Sequence, residues 1–578
     1  MLLAVPVPHR LCVLAVALMA TLAGAREPDV RLPDIGSSAA AILSPQDLHD
    51  YGAEMLQEMR AYGMVLDDAL LTDYINALGF KLVAASDHPD MAFDFFLVRD
   101  PQINAFAAPG GFVAANAGLL TAMQTEDELA GVLAHEISHV QQQHILRAFE
   151  DTKKMSIPIM LGMLGVMIAA SHSRDDTAAA AMMTGTSLIQ QRQINFTRSE
   201  EAEADRVGID TLARANFDPS AMAGAFQTLQ KVMRVNGVDV PEFLLDHPLD
   251  TKRIADAKAR AAQLGCPSAP RLSESRPSSG PGVLDLRVPA RTVPDTTALP
   301  IDEASAVAAS EAAVTSLGEQ PRDGKTLPPV SVTACIKRGE TAAYFELMRE
   351  RARVLSADSP PVMRGYYADN LRDDPGFDTS ANRYGYALAL VETREPALAV
   401  KELKKLSDKQ PSSPVFRLAL AHAQDLAGDK PAALKQFEQL NADFPGNRAV
   451  TLTYSDALLA KAELQSARRA LELLRPMVER HSDDPDLQKS YGRANELAGD
   501  KTRAAEAYAE AAFLTGHAED ALNQLKRLSK ETDLTYYQRS RIDARITQLT
   551  PAVLAIRKRD APSAPDSIAP AFSCCVPR

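Results

Sequence analysis

The stretch TEDELAGVLAHEISHV, Thr125 to Val140, decides how the first half of the chain is read. Thr125 and Glu128 have the spacing of a capping box, where a threonine hydroxyl and a glutamate three residues on satisfy free backbone donors. Leu129, Val132, Leu133, Ile137 and Val140 then recur at helical intervals, so the spacing predicts a helix through this segment. His135 and His139 are four residues apart, about 40° around such a helix, so both imidazoles face one point with Glu136 beside them. This H-E-x-x-H pattern suits a metal-assisted hydrolysis, with two imidazoles on a cation and a glutamate within reach of a water. Leu133, Ala134, Ile137 and Val140 make the helix largely apolar, which argues against two surface histidines. Buried imidazoles and a buried glutamate need partners.

A zinc site needs a third protein ligand. His144 lies nine residues after His135, about 180° around a continuous helix, and is rejected unless the helix breaks early. The acidic cluster Thr197 to Asp205 fits better. Thr197 and Glu200 form a second capping box, while Glu201 and Asp205 share a face at i, i+4. Glu201 is therefore the expected third ligand, and Asp205 is expected to hydrogen-bond a ligand histidine. Glu203 falls on another face and is expected to be solvated. With Zn²⁺ on His135, His139 and Glu201, Glu136 would take the proton of an attacking water and deliver it to the leaving amine.

Upstream, Ser44-Pro45-Gln46-Asp47 opens a helix, and a second is expected over Asp67 to Ala84. Ala92 to Asp100 (AFDFFLVRD) and Gly110 to Leu120 read as extended segments of a small sheet. Met155 to Ser171 has no charge; it reads as a buried helix or a Met-rich lid, with peripheral membrane contact as the alternative.

An H-E-x-x-H followed by Glu201-x-x-Ala204-Asp205 resembles the M48 family of zinc metalloendopeptidases. Asn104 to Ala107, Pro109-Gly110-Gly111 and Gly118-Leu119-Leu120 are similar to that family's substrate-side edge strand, and Asp246-His247-Pro248 with Arg253-Ile254 to its distal element. The resemblance covers about Leu43 to Leu264 and implies an α+β zincin-like domain. Gly111 to Ala115 is expected to be the edge strand that pairs with an extended substrate backbone. Three roles stay open for His247: stabilising the oxyanion, occupying the open zinc position, or none in catalysis.

The C-terminal part repeats itself. Units of 34 residues start at Ser380 and Pro414, the next, from Arg448, is lengthened by about three residues, and a fourth follows with Pro485. Small residues recur at Ala387, Ala421, Ser455 and Gly492, and at Ala399, Ala433, Ala467 and Ala504, where paired helices must approach closely. The segment resembles the tetratricopeptide repeat, which implies a surface for protein partners. A Pro/Ser-rich stretch, Cys266 to about Leu327, separates the two parts.

At the start of the chain, Arg10, the apolar run Leu11 to Leu22 and Ala23-Gly24-Ala25 read as a cleavable signal peptide. Export would leave Cys266, Cys335, Cys574 and Cys575 able to form two disulfides. The net charge of −13 argues against a nucleic-acid partner, and 46% hydrophobic with 24% charged residues excludes global disorder. With aromatics at 5% and no tryptophan, the chain is expected to be mostly α, a peptidase domain followed by an all-α solenoid. The expected limits are 1–25 for the leader, 43–265 for the peptidase, 266–336 for the linker, 337–555 for the repeats and 556–578 for a tail.

Leader, M48-like domain and repeats together resemble the β-barrel assembly-enhancing proteases of the Gram-negative periplasm. That resemblance implies turnover of stalled outer-membrane proteins and contact with the β-barrel assembly machinery. Two competing readings are a chaperone-like adaptor with a latent zinc site and an exported peptidase unrelated to outer-membrane assembly.

Overall fold

The computed structural model describes residues 44–144, 146–147, 197–236, 243–244, 247–264 and 339–560. The expected leader, the Met155 to Ser171 segment, the linker and all five cysteines lie outside the described residues. No helix among the described residues is long and apolar enough to cross a membrane.

The first part is a small sheet packed among helices. Helix α1 (Pro45–Ala61) leads to α2 (Ala69–Ala84), whose first turn is capped by Asp68, its carboxylate accepting from Leu71 N at 3.1 Å. Strands β1 (Asp94–Val98), β2 (Ala105–Ala108) and β3 (Phe112–Asn116) form one sheet in the order β1-β3-β2. β1 runs parallel to β3, and β2 runs antiparallel to it with Ala105 opposite Ala115 and Ala108 opposite Phe112.

This topology corrects two expectations. Gly111 to Ala115 is not an edge: β3 is the central strand, paired on both sides, and the edge strands are β1 and β2. Gly110 and Gly111, at φ +82° and +91°, turn the chain back on itself, which folds Ala105–Ala108 outside Phe112–Asn116. The extended reading of Gly110 to Leu120 also fails in its second half, where Ala117–Ala122 is a short helix, α3.

Helix α4 (Glu126–Gln141) begins at Thr125, whose hydroxyl accepts from Glu128 N at 3.2 Å. The Glu128 carboxylate reaches back to Gln124 N at 2.8 Å, one residue beyond the box partner the sequence suggests. Residues 197–214 form α5, followed by α6 (Ala221–Asn236) and α7 (Thr251–Gln263). Gly208 allows α5 to lie against α4: a Cβ there would sit 3.2 Å from both Ala134 C and His135 N. That approach brings the carboxylates of α5 opposite the histidines of α4.

The second part is all helical: α8 (Gly339–Leu355), α9 (Pro360–Asp373), α10 (Ser380–Glu392), α11 (Pro396–Lys409), α12 (Pro414–Leu426) and α13 (Lys430–Asp443). Then come α14 (Arg448–Leu459), α15 (Leu464–Arg480), α16 (Pro485–Ala498), α17 (Lys501–Leu514), α18 (Ala518–Leu528) and α19 (Tyr536–Asp560). Helices start at Ser380, Pro414, Arg448 and Pro485, the unit starts read from the sequence. The small positions Ala387, Ala421, Ser455, Ala399, Ala433 and Ala467 are wholly buried, and a Cβ on Gly492 would meet the Tyr508 ring at 2.8 Å.

The two parts share a core. Phe345, Met348 and Ala352 of α8 belong to the same apolar cluster as Leu71, Tyr74 and Ile75 of α2, an assembly driven by burial of apolar surface. Arg351 of α8 clasps Asp68 with two hydrogen bonds of 2.6 Å, and Arg448 of α14 donates to Ala69 O at 3.3 Å.

Candidate active site

Helix α4 supplies His135, Glu136 and His139, all on or near its buried face; His135 and Glu136 are fully buried. Helix α5 supplies Glu201 and Asp205, and His247 lies ahead of α7. His135 Nε2 and His139 Nε2 are 3.0 Å apart, and Glu201 carboxylate oxygens lie 3.4 Å from each. His247 Nδ1 is 2.9 Å from Glu201 Oε1 and 3.3 Å from His135 Nε2, while its Nε2 is 3.6 Å from Glu136 Oε1. One ligand atom from each of His135, His139, Glu201 and His247 falls within 4.8 Å of the others.

These residues fit a metal ion. Two ring nitrogens facing each other at 3.0 Å need a cation or a shared proton between them. Neither carboxylate oxygen of Glu136 has a hydrogen bond, although both are buried. Without a metal, charge redistributes among the same groups. Burial disfavours a charged His135, yet Glu201 and Asp205 outweigh it and raise its pKa to about 10. Burial, helped by the charge on His135, pushes His139 down to about 3. Burial raises Glu136 above the usual carboxylate range, whereas Glu201 is held far below it by His135 against its own burial.

Asp205 lies beside His135, with Oδ1 3.0 Å from Nδ1, but the contact has ion-pair geometry and not that of the hydrogen bond the sequence led us to expect. Behind it stands a residue whose role the sequence reading missed. Arg253, on α7, donates to both Asp205 oxygens, contacts Glu201 Oε2 at 2.7 Å and donates to Pro248 O at 3.1 Å. Its signal was indirect: two buried carboxylates on one helix face require a buried cation.

Glu203 departs from its expected solvation. Its Oε2 lies 3.2 Å from His144 Nε2 and 3.0 Å from Arg147 Nη1, with the side chain 30% exposed. His144 is buried and its Nδ1 is 2.8 Å from His139 Nδ1, so it is outside the ligand cluster but touches one of its members.

Paired imidazoles on one helix, a carboxylate from the next and a buried glutamate with no hydrogen bond on either oxygen define a metallopeptidase domain. Residues 69–261 match the model of Peptidase family M48, and the chain carries a domain of that family. It is 40% identical over 253 residues to a putative beta-barrel assembly-enhancing protease of Vibrio cholerae, covering 44% of this chain and 51% of the relative. It is 43% identical over 234 residues to the beta-barrel assembly-enhancing protease of Yersinia pestis, covering 40% and 48%. The chain thus spans about half the length of these two relatives. The protein of that name from Escherichia coli K12 is 29% identical over 520 residues, covering 90% of this chain and 91% of its own.

Proposed function

We propose that the chain is a periplasmic zinc endopeptidase that degrades misassembled outer-membrane proteins and assists their assembly, its helical repeats holding protein partners. The observation that carries the peptidase reading is Glu136: buried, without a hydrogen bond on either oxygen, and beside the ligand cluster. A purely structural metal site has no use for such a base. The names of the relatives support the outer-membrane role, and the leader-like start of the chain supports export.

His135, His139 and Glu201 would hold the ion. Bound zinc supplies Lewis acidity and brings a water's pKa to about 7. Glu136 accepts the proton of the attacking water and passes it to the leaving amine. Asp205 holds the His135 ring through Nδ1 and Arg253 holds Asp205. An extended substrate adds to the free edge of β2, where backbone pairing gives affinity with little sequence selectivity.

The position of His247 favours a resting state in which its ring fills the fourth ligand position. The site would then be latent until the segment bearing His247 moves, which joins the enzyme and latent-site readings in one cycle.

Glu136→Gln tests the proposal. The variant should bind zinc as the parent does and cleave an unfolded outer-membrane protein about 10²–10⁴-fold more slowly. Unchanged hydrolysis with zinc in place would sink the mechanism and leave the adaptor reading.

A further inference from the structure

We propose that His144, Glu203 and Arg147 form an outer relay that fixes the tautomer and orientation of His139, making His144 a positioning residue for the metal site. The proposal rests on the reading of His135, His139 and Glu201 as the ligands.

A continuous helix would carry His144 away from His139, and the chain avoids this by breaking. Helix α4 ends at Gln141, and Gln143 takes a left-handed conformation at φ +54°, unusual for a residue with a side chain. Such a conformation persists where surrounding contacts hold it. Its effect is to fold His144 back so that Nδ1 lies 2.8 Å from His139 Nδ1, with the two rings edge to face at 4.7 Å between centroids.

Only one proton arrangement suits this geometry and a ligand role for His139. His139 must offer a lone pair at Nε2, so its proton sits on Nδ1 and is donated to His144 Nδ1. His144 then carries its own proton on Nε2 and donates to Glu203 Oε2 at 3.2 Å. Arg147 Nη1 donates to that oxygen at 3.0 Å and keeps Glu203 an acceptor. Each link fixes the next, and the reverse arrangement would place a proton on His139 Nε2, where the ion must bind.

The other ligand histidine is supported in parallel. His135 Nδ1 backs onto Asp205, and Asp205 onto Arg253. Both imidazoles of α4 thus end, on the side away from the ligand cluster, in a carboxylate of α5 held by an arginine. Glu203 and Asp205 are two residues apart on α5, so one helix serves both. The extra imidazole bridges the longer gap on the His139 side.

Zinc affinity of the full chain, measured by competition with a chromophoric chelator, tests this. His144→Ala should weaken zinc binding about 10–100-fold, the cost usual for losing an outer hydrogen-bond partner of a ligand histidine. His144→Gln, whose amide can accept from His139 and donate to Glu203, should recover most of that loss. A packing role alone would predict equal weakness in both variants, and either that result or parent-like affinity in His144→Ala overturns the relay. Should His144→Ala fail to fold, Glu203→Ala at a part-exposed position should weaken zinc several-fold, and unchanged affinity there overturns it. A parent chain that binds no zinc would instead bring down the ligand reading, and the relay with it.

Discussion

Arg253 and Asp205 form a two-pronged pair behind His135, Nε to Oδ2 and Nη2 to Oδ1, both at 2.8 Å. The same guanidinium contacts Glu201 and the carbonyl of Pro248, so α5, α7 and the residue after His247 meet on one side chain. Only a planar fork with five donors can serve three acceptors in this way.

Arg253→Met removes that fork and leaves Asp205 and Glu201 buried without their cation. The metal-free protein should lose about 3–5 kcal/mol of stability, read by urea unfolding. Arg253→Lys keeps the charge but not the two-pronged geometry and should fall between the two. A loss within error of zero for Arg253→Met would show that the pair is not needed to hold the site.

Gly208 sets the spacing between α4 and α5. A side chain there meets Met222 Cε at 3.0 Å and the Ala134 and His135 backbone at 3.2 Å. Gly208→Val should destabilise the fold by about 1–3 kcal/mol through overpacking and, by parting the two helices, weaken zinc binding. Chelator competition and thermal unfolding on the same sample would separate the two effects.

The Asp68–Arg351 clasp makes the union of the two parts sensitive to acid. Burial works to raise the Asp68 carboxyl, but Arg351 prevails and holds it below its ordinary value. A carboxylate with a lowered folded pKa contributes stability above its unfolded value, about 3.9, and loses it as pH falls through the folded value. Asp68→Asn should therefore be less stable than the parent at pH 7, with the difference closing below about pH 4. Denaturant midpoints across that range give the comparison.

Asp486 of α16 should behave in the opposite sense. Burial first, then Asp484 and Asp67, push its carboxyl up to about 6. A raised folded pKa means stability is fullest below about pH 4 and declines as pH rises through about 6. Asp486→Asn should raise the melting temperature at pH 7.5 and leave it nearly unchanged at pH 4. An equal shift at both pH values would rule out the charge as its cause.

Much of this protein was legible in local spacing. The i, i+4 histidines, the Thr125 cap, Glu201 with Asp205 on one face, and helices starting at Ser380, Pro414, Arg448 and Pro485 all depend on residues close in the chain. Helical periodicity alone relates such residues, so sequence determined the elements and the chemistry they carry. Tertiary structure decided which strand lies at the edge, because Gly110 and Gly111 permit a reversal without dictating which partner β3 takes on its other side. It also decided that Glu203 is paired rather than solvated, since its partners His144 and Arg147 lie more than fifty residues away and are reached only after the break at Gln143. Arg253 beneath Asp205 and Arg351 on Asp68 belong to the same class. Their hydrogen bonds join residues 48 and 283 positions apart, where no periodicity operates and packing alone sets the distance.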